Sequence, residues 1–281
     1  MRTPLDTADL LACAVAAAQA GGGHALANAA RRGEIVRADR HDVKLRLDFE
    51  AQQQVVAAIR RHFPDHAILG EEDPYEAALP THEAGYLWIV DPIDGTVNFS
   101  HGLPLWCCSV AVRQGARVVA GAVYAPELDR LFTATADGPA LCNGRPLRVS
   151  ETADLARAVV CTGTNKSEEA GLPPLHFFER IAAAAQRPRI NGSAALDLCW
   201  VAAGAADAYF ESGVYLWDVS AAGLIVERAG GRAETLQALD AKQVRYLASN
   251  GRLHEALRRL LAEPPDGRAG GSRAPLAVQR P

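Results

Sequence analysis

The sequence lacks the marks of several common functional classes. It has no basic excess: 29 Lys and Arg stand against 33 Asp and Glu, a formal net charge of −4. That balance gives no footprint for nucleic acid or for an anionic membrane surface. The 6 cysteines include no C-x-x-C pair, and no His lies at zinc-finger spacing from them. Their neighbours are small or apolar, which predicts buried reduced thiols and a cytoplasmic setting. A hydrophobic fraction of 49% supports a core, and the Ala-rich stretch 10–20 reads as too short and too weakly apolar to span a bilayer. The Ala-rich stretch 10–20 follows Asp6 and Asp9, and Arg2 alone supplies positive charge, so it does not read as a secretory leader. No G-x-G-x-x-G follows a first strand, which argues against a Rossmann domain. There is no G-x-S-x-G or C-x5-R segment, so nothing points to a serine or cysteine nucleophile, and no internal repeat is present.

Periodicity divides the chain in two. Residues 7–20 read as a helix capped by Asp6 or Thr7. Gly21-Gly22-Gly23 then predicts a break, since each Gly costs about 1 kcal/mol against Ala in a helix, with helical character resuming over 26–32. Asp48 reads as the cap of a helix over 49–63, with Val56, Ile59 and Phe63 on its buried face and Pro64 ending it. A short strand, 67–70, delivers Glu71 and Glu72. Strands are expected at 86–90, 109–112, 117–124, 131–134 and 140–149, with Asn143-Gly144 as a hairpin turn. A second region begins near Ser150, with strands at 158–162, 190, 208–211, 233 and 244–248. Its helices are expected at 174–185, 193–203, 218–229 and 253–262. This gives an α+β subdomain over 1–149 and an α/β subdomain over 150–262. The Pro-, Gly- and Arg-rich tail 263–281 has no periodic apolar pattern and is expected to be disordered. The mixed element order predicts a layered α+β / α/β sandwich.

Chemistry concentrates in Trp88-Ile89-Val90-Asp91-Pro92-Ile93-Asp94-Gly95-Thr96-Val97-Asn98-Phe99. An apolar strand runs into two aspartates three residues apart, with Asp91 where the chain leaves the sheet. Asp94-Gly95-Thr96 forms a tight turn that can open a helix. Paired carboxylates repel unless a cation lies between them. Such a pair suits Mg²⁺ that in turn holds a phosphate.

This stretch resembles the signature of the inositol monophosphatase family, W-[IV]-[IV]-D-P-[IL]-D-G-T-x-N-[FY]. The resemblance spans roughly residues 37–262. It implies the five-layer αβαβα sandwich shared with fructose-bisphosphatases, and a Mg²⁺-dependent, lithium-inhibited phosphomonoesterase. Glu71 matches the first Glu of the family's G-E-E segment. Asp218, in Trp217-Asp218-Val219-Ser220-Ala221-Ala222, matches its W-D-x-x-[AP]-[AG] segment. The implied metal set is Glu71, Asp91 and the carbonyl of Ile93 for one ion, with Asp91, Asp94 and Asp218 for a second. A third, weaker ion sits near Glu71 in the family. Gly95 and Thr96 would bind phosphate at a helix N-terminus. Thr96, with Glu71 or Asp48, would orient and deprotonate a metal-activated water. Gly192, Ser193 and Ala194 match a G-[ST]-A segment that contacts inositol hydroxyls. Glu211 and Asp218 complete the substrate set.

One departure stands out. The family's D-[LIV]-V-T-x-x-D segment is Asp42-Val43-Lys44-Leu45-Arg46-Leu47-Asp48 here, with Leu45 in place of Thr, which puts the third ion in question. Trp88 and Trp217 read as core, and His101 receives no role. The expected substrate is a small phosphorylated metabolite, inositol 1-phosphate first. Within the family, histidinol phosphate, 3′-phosphoadenosine 5′-phosphate and fructose 1,6-bisphosphate are alternatives. Residues 192–218 hold no Arg or Lys for a second phosphate, which counts against a bisphosphate. A non-catalytic scaffold is the alternative of a different class. The resemblance also implies a homodimer; no nucleic-acid or membrane partner is expected.

Overall fold

The computed structural model describes residues 6–38, 43–74, 85–164 and 175–262. The tail expected to be disordered lies outside these residues. Helix α1 (Thr7–Ala27) begins at Asp6, whose carboxylate accepts from the Ala8 amide. It runs unbroken through Gly21-Gly22-Gly23, against the expected interruption. Packing explains the difference. A Cβ on Gly21 would lie 2.5 Å from Val55, and one on Gly22 would lie 2.9 Å from Tyr124. The bare glycine edge lets α1 press against its neighbours, and that contact offsets the helix penalty.

The ribbon β1 (Ile35–Ala38) and β2 (Val43–Leu45) leads into α2 (Arg46–His62). This helix starts earlier than expected, so Asp48 lies inside its first turn rather than capping it. Val55 and Ile59, not Val56, are fully buried on its inner face.

Seven strands form the first sheet: β3 (Ala67–Gly70), β4 (Tyr86–Asp94), β5 (Cys107–Gln114), β6 (Arg117–Ala125), β7 (Arg130–Thr135), β8 (Leu141–Cys142) and β9 (Arg145–Pro146), paired in that order. Only β3 and β4 pair in parallel. Short helix α3 (Thr96–Ser100) follows β4. The expected hairpin at Asn143-Gly144 is present, with φ of 47° and 76° at the two residues. Alternation sorts side chains to two faces. Trp88, Val90, Val110 and Val112 pack beneath α1 and α2, while Leu87, Ile89 and Ala111 face the opposite layer.

The second sheet has the order β11-β10-β12-β14-β13. Its strands are β10 (Val159–Thr162), β11 (Arg187–Arg189), β12 (Ala208–Tyr215), β13 (Arg232–Ala238) and β14 (Gln243–Ser249). Strand β11 lies just before Ile190, where the strand was expected. Helices α5 (Ala194–Ala202) and α6 (Leu216–Arg228) lie between the two sheets and share one core with both. Helices α4 (His176–Ala184) and α7 (His254–Leu261) cover the outer face through Phe177, Ile181, Leu257 and Leu261. The layers are therefore α1/α2, sheet, α5/α6, sheet and α4/α7, an α/β sandwich. Trp88 and Trp217 belong to its core.

Candidate active site

Strand β4 does not end at Asp91. It pairs with β5 from Tyr86 to Asp94, with a register shift between Asp91 and Asp94. Asp91 is opposite Ser109, and Asp94 is opposite Cys107. The irregular pairing brings both aspartates into one site inside the sheet edge. Asp91 is 1% exposed, and its Oδ1 accepts from the Ile93 amide at 3.0 Å.

Glu71 follows parallel neighbour β3, and its amide donates to the Val90 carbonyl at 3.1 Å. Its carboxyl shares a hydrogen bond with Asp91. The adjacent Glu72 does not compete for this place. It pairs with Lys44 at 2.9 Å, and its amide donates to Gln52.

Asp218 comes from the first turn of α6, and its Oδ2 accepts from the Tyr215 amide at 3.0 Å. The helix starts at Leu216, so this carboxylate sits at the third helical position, not at the start. Asp48 occupies the same position in α2 and accepts from the Leu45 amide at 2.6 Å. Each helix fixes one carboxylate oxygen through its own orphan N–H.

The turn after Asp94 needs Gly95, at φ +92°. A Cβ there would also lie 2.9 Å from the Leu105 carbonyl and 3.2 Å from that of Gly192. Thr96 is half-buried and donates from Oγ1 to the Ile93 carbonyl at 2.9 Å. That carbonyl retains a second lone pair.

The segment before α5 reaches the same aspartate. Asp94 Oδ2 accepts from Ser193 Oγ at 2.6 Å and from the Ala195 amide at 2.7 Å. The Ala194 amide donates to Asp94 Oδ1 at 3.2 Å. Ser193 and Ala194, expected among the substrate contacts, thus already hold Asp94. Glu211 is buried beneath Gly163, where a Cβ would overlap its carboxylate, and accepts from Tyr209 Oη at 2.9 Å.

Four residues around the site had no expected role. Asn98, within the signature, donates from Nδ2 to the carbonyls of Leu105 and Asn191, both at 2.7 Å. Asn191 donates to Asp197 at 2.6 Å. Burial raises the Asp197 carboxyl to about 7, against the opposing hydrogen bond from Asn191. Cys107 Sγ lies 3.7 Å from Asp94, and burial pushes this thiol up as well. The sequence signals were Asn98, which stands in the signature, and Asp197, a lone acid inside Ala195-Leu196-Asp197-Leu198-Cys199.

Carboxylate oxygens of Asp91, Asp94 and Asp218 all lie within 4.8 Å of one another. Burial first, then the charges of Asp218 and Glu72, hold Glu71 well above the usual carboxylate range. Burial, then Glu71, Asp94 and Asp218, does the same to Asp91. Such a cluster is stable only with shared protons or a cation. Its donors are hard oxygens, which fits a divalent cation of the Mg²⁺ or Mn²⁺ kind.

Residues 6–264 match the model of the inositol monophosphatase family. The chain belongs to that family. This inositol monophosphatase family member is 40% identical over 193 residues to "Nus factor SuhB" of Pasteurella multocida, covering 68% of this chain and 71% of that one. It is 36% identical over 224 residues to "Fructose-1,6-bisphosphatase/inositol-1-monophosphatase" of Thermotoga maritima, covering 79% and 83%. The solved inositol monophosphatase of Anabaena superposes with a TM-score of 0.79 at 33% identity, over 92% of this chain and 96% of that one. As a member of this metal-dependent family, the chain is a phosphomonoesterase acting on a small phosphorylated substrate.

Proposed function

We propose that this phosphomonoesterase hydrolyses inositol 1-phosphate to inositol and phosphate, with Mg²⁺ as its cation. The observation carrying this reading is the convergence of Asp91, Asp94 and Asp218 with Glu71 beside the Gly95 turn. Glu71, Asp91, the Ile93 carbonyl, Asp94 and Asp218 would hold two ions. Bound Mg²⁺ neutralises phosphate charge and makes water more acidic. Gly95 and Thr96 present the first-turn N–H groups of α3 to the phosphate. Thr96 Oγ1 orients the attacking water, and the carboxylate of Glu71 or Asp48 accepts its proton. Glu211 and Asp218 accept hydrogen bonds from the alcohol's hydroxyls, next to Gly192, Ser193 and Ala194. Leu45 is fully buried with Ile93, Phe99 and Trp106, so its side chain supplies no oxygen for a third ion.

All six cysteines are buried and unpaired, which supports a reducing, cytoplasmic compartment. A homodimer is part of the proposal and is checked by mass in solution. The near-neutral charge argues against a nucleic-acid footprint, while relatives named Nus factor share the family; an RNA-binding assay separates these readings.

Phosphate release from inositol 1-phosphate, titrated with Mg²⁺, tests the assignment, and Glu211→Gln tests the substrate. With inositol 1-phosphate, the amide still accepts from hydroxyls, so kcat/KM should fall by about 1 kcal/mol, or about fivefold. With histidinol phosphate, a charge-assisted contact is lost, at about 1.5–3 kcal/mol. A parent preference for histidinol phosphate with the larger penalty replaces the first substrate by the second. Turnover of neither compound rejects both.

A further inference from the structure

A second concave site runs along α6, from Leu216 to Arg228. Asp218 occupies the first turn of this helix, whereas Glu227 and Arg228 occupy the last. The two ends are about 14 Å apart at 1.5 Å per residue. Along this helix the layers part to leave a groove of about 510 Å³, bounded by α6, the β5–β6 hairpin and β14. That volume suits a small organic molecule.

Two features give the groove its chemistry. Arg113 follows Ala111 on the face of β5 that meets α6, so strand alternation turns it into the space between the sheets. It is half-buried, yet its guanidinium has no hydrogen-bond or ion-pair partner among the described residues. The other arginines at the groove are engaged. Arg117 pairs with Asp137 at 2.9 Å, and Arg228 donates to the Gly138 carbonyl at 2.7 Å. Glu227 interacts with Arg117 and Arg228 rather than with Arg113.

The second feature is Tyr246. It is 8% exposed and makes no hydrogen bond among the described residues. The hydroxyl lies over Gly223 of α6, where a Cβ would overlap it. Because this ring also lines the groove, its unpartnered hydroxyl is available to a molecule seated there. The rest of the lining is mixed: Val118, Val219 and Leu224 supply apolar surface, and Ser220 and Thr235 supply hydroxyls.

We propose that this groove binds a small organic anion, a carboxylate carried on a flat apolar body. The carboxylate takes the fork of Arg113, the body lies on the aliphatic lining, and Tyr246 donates a further hydrogen bond. This site lies outside the metal-centred active site and uses none of its residues.

Indole-3-acetate is the probe, titrated by calorimetry into the Mg²⁺-loaded full chain. Saturable binding is expected, with the uncharged indole-3-acetamide at least tenfold weaker. Arg113→Gln should weaken binding at least tenfold. Tyr246→Phe, which keeps the ring over Gly223, should weaken it three- to tenfold. Both variants should keep their circular dichroism and their phosphatase activity. The proposal fails if no heat or melting shift is seen up to 10 mM, a limit on the order of that set by a single guanidinium contact. It also fails if Arg113→Gln binds within twofold of the parent, or if inositol 1-phosphate displaces the probe.

Discussion

Residues 91–99 and residues 191–197 meet at Asp94, but they are held in different ways. Within the first segment, Asp91 bonds Ile93, and Thr96 bonds Ile93, contacts spanning two and three residues. The second segment relies on distant partners. Ser193 and the Ala195 amide reach Asp94, and Asn191 receives Asn98, all across 93 to 101 residues of sequence. The first segment can take shape locally; the second takes shape only when the two sheets are assembled. Chemistry is therefore concentrated in the local segment, and its fine placement depends on the remote one.

The largest effect should come from the local segment. Asp91→Asn removes a buried carboxylate shared by Glu71, Asp94 and Asp218, and phosphatase activity should fall about 10³-fold, or roughly 4 kcal/mol. Activity within threefold of the parent would remove Asp91 from the mechanism. Ser193→Ala, in the remote segment, deletes one hydrogen bond to a charged group. Its cost should be about 1.5–3 kcal/mol in kcat/KM, or about 10- to 100-fold, accompanied by a higher Mg²⁺ requirement. A loss of melting temperature with unchanged Mg²⁺ dependence would make Ser193 a plain helix cap.

A separate effect, on stability rather than turnover, belongs to Asp197. Its folded carboxyl titrates near 7, whereas an unfolded Asp titrates near 3.8. Between these values the folded state holds an extra proton, so the stabilisation is present at low pH and is lost as pH rises through 7. Asp197→Asn should match the parent near pH 4 and be more stable above pH 7.5, by roughly 2–4 kcal/mol. Denaturant midpoints in chelator, compared across that range, check this. A constant difference at every pH would show that Asp197 stays ionised in the fold.

The sequence-readable part of the site is the local part. Asp91, Asp94 and Gly95 stand within five residues, and the turn they form was evident from residue types alone. Glu71 and Asp218 were found through short motifs at element ends. Asn98, Asn191 and Asp197 were not, because each acts through a residue on another element. The fold shows the same division. Most strands of the first sheet follow from alternation and turn residues. The unbroken course of α1 does not, since its glycines are paid for by Val55 and Tyr124, which no local pattern reveals. Nor could the extension of β4 to Asp94 be read, because Pro92 obscured pairing that continues past the register shift.

The position of Asp218 at the start of α6 has a consequence for how the molecule comes together. Glu71 and Asp91 arise from neighbouring parallel strands, but Asp218 arrives from a helix that both sheets must enclose. Contacts at such large sequence separation form late during refolding, because chain closure precedes any gain from them. A half-assembled chain can already have its first sheet and still lack a competent cation site. The carboxylate cluster is therefore complete only when both sheets enclose α6.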